Sequence, residues 1–323
     1  YKTGSTSIQR SLASNADQLR ARGVFYPYRP GASYIQRWQH VPLAAAVPGR
    51  NLRWLTRKKL KTLDCAYSEF FGDLARKDFD VLVVSSEGFC DPDMTPEKIA
   101  WVKEKFADFD VTVVAYIRRQ DAYFLSTYQE MIKSGGTGPF DFSAYGKARR
   151  LYFGQRLAPW RQVFGAENVI VRPFDAKLWP KGELFFDFLQ VIGTQRRNLA
   201  PAAPENEGLD YRAVELLRQL NLQRQGTSGG PDLAGHRKLA EHLDRMCAAG
   251  AGKKKMALSS EQANALRNHF RADNEAALEG SGISADDFFP PVPPGREARL
   301  VPERLDPELL LQLIWELIPQ SLR

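Results

Sequence analysis

Val111-Thr112-Val113-Val114-Ala115-Tyr116-Ile117 is the most strand-like stretch of this sequence. It is rich in β-branched residues, which favour strands, and the charged residue Arg118 follows it directly. A second apolar run, Val81-Leu82-Val83-Val84, has the continuous hydrophobicity of a strand that is buried on both faces. Helix-like segments flank both runs, and this alternation is typical of a parallel sheet with crossover helices. We therefore expect an α/β fold with residues 111–117 at the centre of its sheet.

Weaker signals extend this pattern along the chain. Val24-Phe25-Tyr26 and Val169-Ile170-Val171 have the composition of further strands. Thr95-Pro96 is a suitable N-cap and first residue for a helix, and Ser259 with Gln262 forms a capping-box pattern at another. From about residue 206 the strand-like runs stop and helical patterns take over. The sequence thus predicts an α/β core over residues 1–200 and a mostly helical C-terminal region over residues 206–323, which packs on the core and shapes a substrate pocket.

The composition points to a protein without disulfides or membrane spans. The 323 residues include 45 Lys and Arg against 38 Asp and Glu, and the net charge of +7 suits anionic small molecules. The basic residues are spread along the chain, and we expect no nucleic-acid partner. Cys65, Cys90 and Cys247 have neither disulfide-framework nor zinc-site spacing, which favours a reducing, cytoplasmic compartment and no metal site. No apolar run is long enough to predict an integral membrane segment.

The first residues of the chain have the composition of a phosphate-binding loop. Lys2-Thr3-Gly4-Ser5-Thr6-Ser7 stands immediately before a helical pattern of apolar residues that starts at Ile8. A glycine and small hydroxyl residues at a helix start leave backbone N–H groups free for phosphate oxygens, and Lys2 adds a mobile positive charge. A Ser/Thr-rich segment that only caps the helix is the alternative interpretation.

A second anion-binding element follows the strand-like segment 111–117. Arg118 stands at its C-terminal end, where ligands bind in open α/β sheets, and Ser126 comes eight residues later in a predicted helix. The guanidinium and the hydroxyl together are able to hold a second phosphate. Taken singly, Arg118 also fits a solvated charge at a strand end and Ser126 a residue on a helix surface.

At these residues the chain resembles the sulfotransferases that use 3′-phosphoadenosine 5′-phosphosulfate (PAPS), in particular their bacterial members. Residues 2–7 resemble the 5′-phosphosulfate loop of that superfamily, and Arg118 and Ser126 match the Arg and Ser of its 3′-phosphate site, including the interval of eight. The resemblance covers about residues 1–195. It implies a three-layer α/β/α P-loop-like fold with a central parallel sheet. It also implies PAPS as the donor, adenosine 3′,5′-bisphosphate (PAP) as the product, and no required metal.

Two features depart from that pattern. The sequence does not show the buried strand that is expected before the loop. Members that modify small molecules use a His just after a strand, whereas Ser85-Ser86-Glu87 follows residues 81–84 here and resembles the glycan-modifying members, which use a Glu. The resemblance therefore implies transfer of a sulfuryl group to a hydroxyl or amine, of a glycan or another small molecule.

The resemblance also implies roles for individual residues. Lys2 contacts the bridging oxygen and the leaving phosphate, while the loop backbone and Thr6 hold the phosphosulfate. Glu87 is the expected general base, and a surface carboxylate or helix cap is the alternative for it. His40, in Gln39-His40-Val41, is the other candidate base because imidazole titrates in the right range, although a lone His is more often structural.

Two other functional classes stay open on the sequence alone. A P-loop nucleotide kinase would carry a full GxxxxGK[ST] loop and a strand-end Asp for Mg²⁺, whereas residues 81–84 are followed by Ser-Ser-Glu. A non-catalytic nucleotide- or glycan-binding module would keep the nucleotide site without transfer chemistry.

Overall fold

The computed structural model of the protein describes residues 3–50, 63, 65–203, 208–224 and 233–302. Helices and strands alternate as far as residue 191, and helices follow. The helices are α1 (Ser5–Ser14), α2 (Ala16–Arg20), α3 (Val41–Ala45), α4 (Ala66–Leu74), α5 (Pro96–Lys105), α6 (Gln120–Lys133), α7 (Phe153–Phe164), α8 (Leu184–Val191), α9 (Tyr211–Arg224), α10 (Leu233–Ala251), α11 (Ser260–His269), α12 (Arg271–Leu278) and α13 (Ala285–Phe288). The strands are β1 (Val24–Phe25), β2 (Val81–Leu82), β3 (Val113–Ile117) and β4 (Val169–Pro173).

The strands form two parallel pairs. β1 pairs with β2, with Val24 opposite Val81, and β3 pairs with β4 from Val113 opposite Val169 to Ile117 opposite Pro173. This confirms the predicted α/β class. Within the described ranges the two pairs are separate two-stranded sheets. A single central sheet built around residues 111–117 is therefore not confirmed, and the three-layer P-loop-like arrangement stays a prediction.

One apolar core holds α1, α8 and the β1/β2 pair together. Leu12 of α1 and Leu189 of α8 are fully buried in it, beside Val24 of β1 and Val83 just after β2. Burial of a leucine side chain stabilises a fold by about 1.5–3 kcal/mol. This shared core fixes α1 against the β1/β2 pair.

A buried carboxylate joins β3, β4 and α8. Asp187 of α8 is fully buried, and it accepts a hydrogen bond of 2.6 Å from the hydroxyl of Tyr116 on β3. Arg172 of β4 donates to both oxygens of the same carboxylate through Nε and Nη2. These bonds raise the pKa of Arg172, and burial raises the pKa of Tyr116 above its ordinary value. The network fixes the strand ends that carry Arg118 and Phe174.

The chain divides into two compact units. The α/β unit comprises Tyr1–Arg118, Tyr152–Glu205 and Arg271–Phe288. The helical unit comprises Arg119–Leu151, Asn206–Phe270 and Phe289–Arg323. The sequence predicts instead a division at residues 200–206, with α6 in the first part and α12 in the second. That division stays a prediction.

The described part of the helical unit contains the capping box that the sequence indicated. Ser259 caps α11: its hydroxyl accepts from the Gln262 N–H at 3.1 Å, and Gln262 Oε1 accepts from the Ser259 N–H at 3.0 Å. The predicted capping box is confirmed, as is the helical character of the described residues after 206. None of the helices described is both long and apolar enough to cross a membrane.

Candidate functional site

The loop before α1 presents backbone N–H groups at a helix start. Gly4 is left-handed, with φ 72°, and α1 begins at the next residue. The first intrahelical bond runs from the Ile8 N–H to the Gly4 oxygen, at 3.1 Å. The N–H groups of Ser5, Thr6 and Ser7 precede that bond, and first-turn N–H groups have no acceptor within their helix. Together with the positive end of the helix dipole they form a suitable site for a phosphate or sulfate group.

Phe174 joins this loop to Arg118. A Cβ atom on Gly4 would lie 2.4 Å from Leu184 Cδ2 and 2.9 Å from Phe174 Cε2, so only glycine fits there. The guanidinium carbon of Arg118 lies 5.4 Å from the centre of the same Phe174 ring. Phe174 is itself fixed, because its N–H donates to the Ile117 oxygen at 2.6 Å. Gly4 of the predicted phosphate-binding loop and Arg118 of the second predicted anion-binding element thus lie beside one aromatic ring within the α/β unit.

Glu87 lies against the first turn of α1. It opens the short 3₁₀ turn Glu87–Cys90 that follows β2, and the Ser5 hydroxyl donates to its Oε1. One helical turn further along α1, Gln9 Nε2 donates to the Ser85 hydroxyl at 3.0 Å. Gln9 is fully buried, and its Oε1 has no hydrogen-bond partner among the residues described. The phosphate-type loop and the candidate base are therefore in direct contact.

The turn that carries Glu87 has its own anchor, which sequence reasoning missed. Arg50 is almost fully buried, and its Nη1 donates to the Gly88 oxygen at 2.6 Å and the Ala44 oxygen at 3.1 Å. Its Nη2 pairs with Asp91 at 2.6 Å. The Ser86 hydroxyl also accepts from the Gly88 N–H. Nothing in the local sequence around Arg50 indicates these contacts.

His40 is buried, and both of its ring nitrogens are engaged. Nε2 donates to the Pro27 oxygen at 2.9 Å, and Nδ1 accepts from the Ser85 N–H at 3.1 Å. Burial lowers the pKa of the imidazole to about 4, so the ring is neutral at physiological pH. This geometry gives His40 a structural task, which is to hold Ser85 two residues before Glu87.

The remaining predicted site residues are placed less completely. Thr3 is buried at the start of the loop, and Lys2 lies outside the described residues. Ser126 is partly buried on α6 of the helical unit, whereas Arg118 belongs to the α/β unit. The roles of Lys2 and Ser126 stay predictions. The described residues include no group of three or more His, Cys, Asp or Glu that could hold a metal ion.

The chain is thus an α/β protein. One of its units carries a helix start that is suited to an anion, together with Arg118 and the carboxylate of Glu87. No family model matches the chain, and no solved structure matches it. It is similar to an uncharacterized protein of Archaeoglobus fulgidus, with 33% identity over 144 residues. The matched segment covers 43% of this chain and 38% of that relative, so the chain spans well under half the length of the relative.

Proposed function

We propose that the protein is a PAPS-dependent sulfotransferase that transfers a sulfuryl group to a hydroxyl or amine, on a glycan or another small molecule. The observation that carries this proposal is the contact between the loop and the candidate base: the Ser5 hydroxyl donates to Glu87. The position of Arg118 beside the Phe174 ring that also adjoins Gly4 supports it. The P-loop-like three-layer fold belongs to the same proposal.

The nucleotide is held at its two charged ends. The first-turn N–H groups of α1 and the Thr6 hydroxyl bind the 5′-phosphosulfate, with Lys2 on the bridging oxygen. The planar guanidinium of Arg118 donates two parallel hydrogen bonds to the 3′-phosphate. Arginine suits this role because its fork of N–H groups matches the spacing of phosphate oxygens.

The transfer is one displacement at sulfur. The acceptor oxygen or nitrogen forms a bond to the sulfur as the bond from sulfur to the bridging oxygen breaks. Glu87 takes the proton of the acceptor, and PAP leaves. The loop and Lys2 stabilise the charge that develops on the departing phosphate, so positioning and electrostatics supply most of the rate enhancement without a metal.

Glu87 suits the role of base better than His40 does. The carboxylate lies in contact with the loop that holds the reacting sulfur, through Ser5. The His40 imidazole is fully buried, and neither of its nitrogens has a lone pair available, because Nδ1 already accepts from Ser85 and Nε2 carries the hydrogen donated to Pro27.

The specificity of nucleotide binding tests the proposal. We expect adenosine 3′,5′-bisphosphate to bind at least about tenfold tighter than ADP in calorimetric titration, a difference of about 1.4 kcal/mol. Arg118→Ala should remove this preference. Arg196→Ala is a matched control, because Arg196 also lies over a phenylalanine of the α/β unit, Phe186, at 5.7 Å. Equal or tighter binding of ADP by the unmodified chain would favour the P-loop nucleotide kinase instead.

Transfer itself is tested with labelled PAPS and a panel of hydroxyl and amine acceptors. Glu87→Gln should lower the rate about 100-fold or more, as expected when a general base is lost, without weakening the binding of the bisphosphate. Bisphosphate binding with no transfer to any acceptor would favour the non-catalytic module.

A further inference from the structure

The Ser5 hydroxyl stands between the nucleotide loop and the candidate base. Ser5 is the first residue of α1, directly after the left-handed Gly4, so its backbone N–H belongs to the anion-binding helix start. Its side chain nevertheless points to Glu87 and donates to Oε1. One residue therefore contributes to both halves of the proposed reaction centre.

A hydroxyl carries a single proton to donate. An ionised carboxylate and a phosphate oxygen both only accept, so the Ser5 hydroxyl is able to serve one of them at a time. Hydrogen bonds to charged groups are stronger than those between neutral groups, which makes the two interactions true competitors. In the structure, the Ser5 hydroxyl donates its proton to Glu87 Oε1.

On this basis we propose that Ser5 is a positioning residue that couples donor binding to release of the base. Before the nucleotide binds, the Ser5 hydroxyl donates a hydrogen bond to Glu87 Oε1. When the 5′-phosphate occupies the loop, the Ser5 hydroxyl turns to the phosphate, and the carboxylate becomes available to the acceptor. The inference rests on the proposed function, and it predicts that the nucleotide binds before the acceptor.

The surroundings allow the exchange to be local. Gly88, which follows Glu87, is held by Arg50 and by the Ser86 hydroxyl, and neither contact involves Ser5. The hydrogen bond from Gln9 to Ser85 still joins α1 to the segment before Glu87 when the Ser5 hydroxyl no longer donates to Glu87. The release of Glu87 thus moves a carboxylate and a hydroxyl and leaves the backbone in place.

A double-mutant cycle on bisphosphate affinity tests the coupling without any knowledge of the acceptor. In the unmodified background, Glu87→Ala frees the Ser5 proton, and adenosine 3′,5′-bisphosphate should bind about tenfold tighter. In a Ser5→Ala background the same change should alter the affinity by less than about twofold, because no shared proton remains. Glu183→Ala is the control for charge, since Glu183 precedes the Leu184 that adjoins Gly4. Glu183→Ala should change the affinity by the same factor in both backgrounds.

The possible results separate the two proposals. An equal effect of Glu87→Ala in both backgrounds would reflect removal of a negative charge alone and would overturn the role of Ser5. Absence of bisphosphate binding in the unmodified chain would contradict the proposed function itself. Thermal unfolding checks that each variant is folded. If Glu87→Ala is not, Glu87→Gln replaces it, and because the Gln oxygen is a weaker acceptor, a smaller tightening in the same direction is expected.

Discussion

His40 shows how burial decides the role of a single residue. Its ring lies among those of Tyr26, Tyr34 and Phe70, with centroids 5.1, 6.2 and 6.0 Å away. A positive charge there would lose its hydration, and a proton on Nδ1 would face the N–H of Ser85, which is itself a donor. The folded protein therefore favours the neutral form of the His40 imidazole.

This environment predicts a loss of stability in mild acid. The pKa of His40 is about 4 in the folded protein, below its ordinary value of 6.5, so between these pH values the unfolded chain binds a proton that the folded one does not. The free energy of unfolding should keep the full contribution of His40 above pH 6.5, fall as the pH drops, and have lost roughly 3 kcal/mol below pH 4. Urea titrations across this range measure it. His40→Gln removes the titrating group, so the difference between the two proteins should shrink as the pH falls; a constant difference would contradict the assignment.

The backbone conformation and the surroundings of Gly4 both favour a glycine at this position. Gly4→Ala should destabilise the fold for two reasons, the left-handed backbone with φ 72° and the contact with Leu184 Cδ2 at 2.4 Å. Gly31→Ala is a matched control, because Gly31 has φ 86° but no atom within 4 Å of an added Cβ. The control should cost about 1–2 kcal/mol in urea unfolding, and Gly4→Ala clearly more, with weakened bisphosphate binding as well. Equal costs would mean that the Gly4 contact relaxes freely.

The elements were predictable to the extent that their signals are local. The β-branched composition of residues 111–117 indicated β3, and Thr95-Pro96 and Ser259 marked the starts of α5 and α11 as observed. The lengths of the strands were not predictable, because the pairing between two strands extends only as far as the shorter strand does. The apolar run 81–84 pairs as strand only over Val81–Leu82, since its neighbour β1 is equally short.

The candidate site was predictable as two sets of residues and not as one arrangement. A glycine among small hydroxyl residues before a helix is a local signal, and so is an arginine after a strand. The contacts of Ser5 with Glu87 and of Gln9 with Ser85 join positions 82 and 76 residues apart. No local pattern encodes such contacts, because they depend on how α1 and the β1/β2 pair share one core.

The hydrogen bonds of Asp187 join three elements, so removal of its carboxylate should destabilise the fold. Asp187→Ala leaves the Arg172 guanidinium and the Tyr116 hydroxyl without their carboxylate between β3, β4 and α8. We expect a loss of about 3 kcal/mol in the free energy of unfolding, the low end of the range for a broken buried ion pair, because the Arg172 side chain is 31% exposed. Tyr116→Phe removes one hydrogen bond to the carboxylate and leaves the Arg172 pair in place, so it should cost less, about 1.5 kcal/mol. Urea unfolding of both variants measures the difference, and similar small losses would show that the carboxylate is dispensable.

At the scale of the whole molecule, the grouping of α6 decides where the units divide. The sequence places α6 with the α/β core, because it follows β3 directly. In the structure, Gln129 of α6 accepts from the Leu209 N–H at 3.0 Å, and Asn221 of α9 donates to the Ile132 oxygen at 2.9 Å. These bonds attach α6 to the helices that follow residue 206, which a local sequence pattern does not reveal.

Hydrogen exchange on two matched variants tests this division. Asp187 in the α/β unit and Asp210 in the helical unit are both fully buried carboxylates that hold an arginine, Arg172 and Arg212 respectively. Asp187→Ala should accelerate amide exchange in peptides of the α/β unit, and Asp210→Ala in peptides of the helical unit, because each lesion lowers the opening free energy of its own cooperative region. Peptides from residues 120–133 should respond to Asp210→Ala. If they follow Asp187→Ala, the division at residues 200–206 is the better one. Equal acceleration everywhere in both variants would show that the chain opens as one unit.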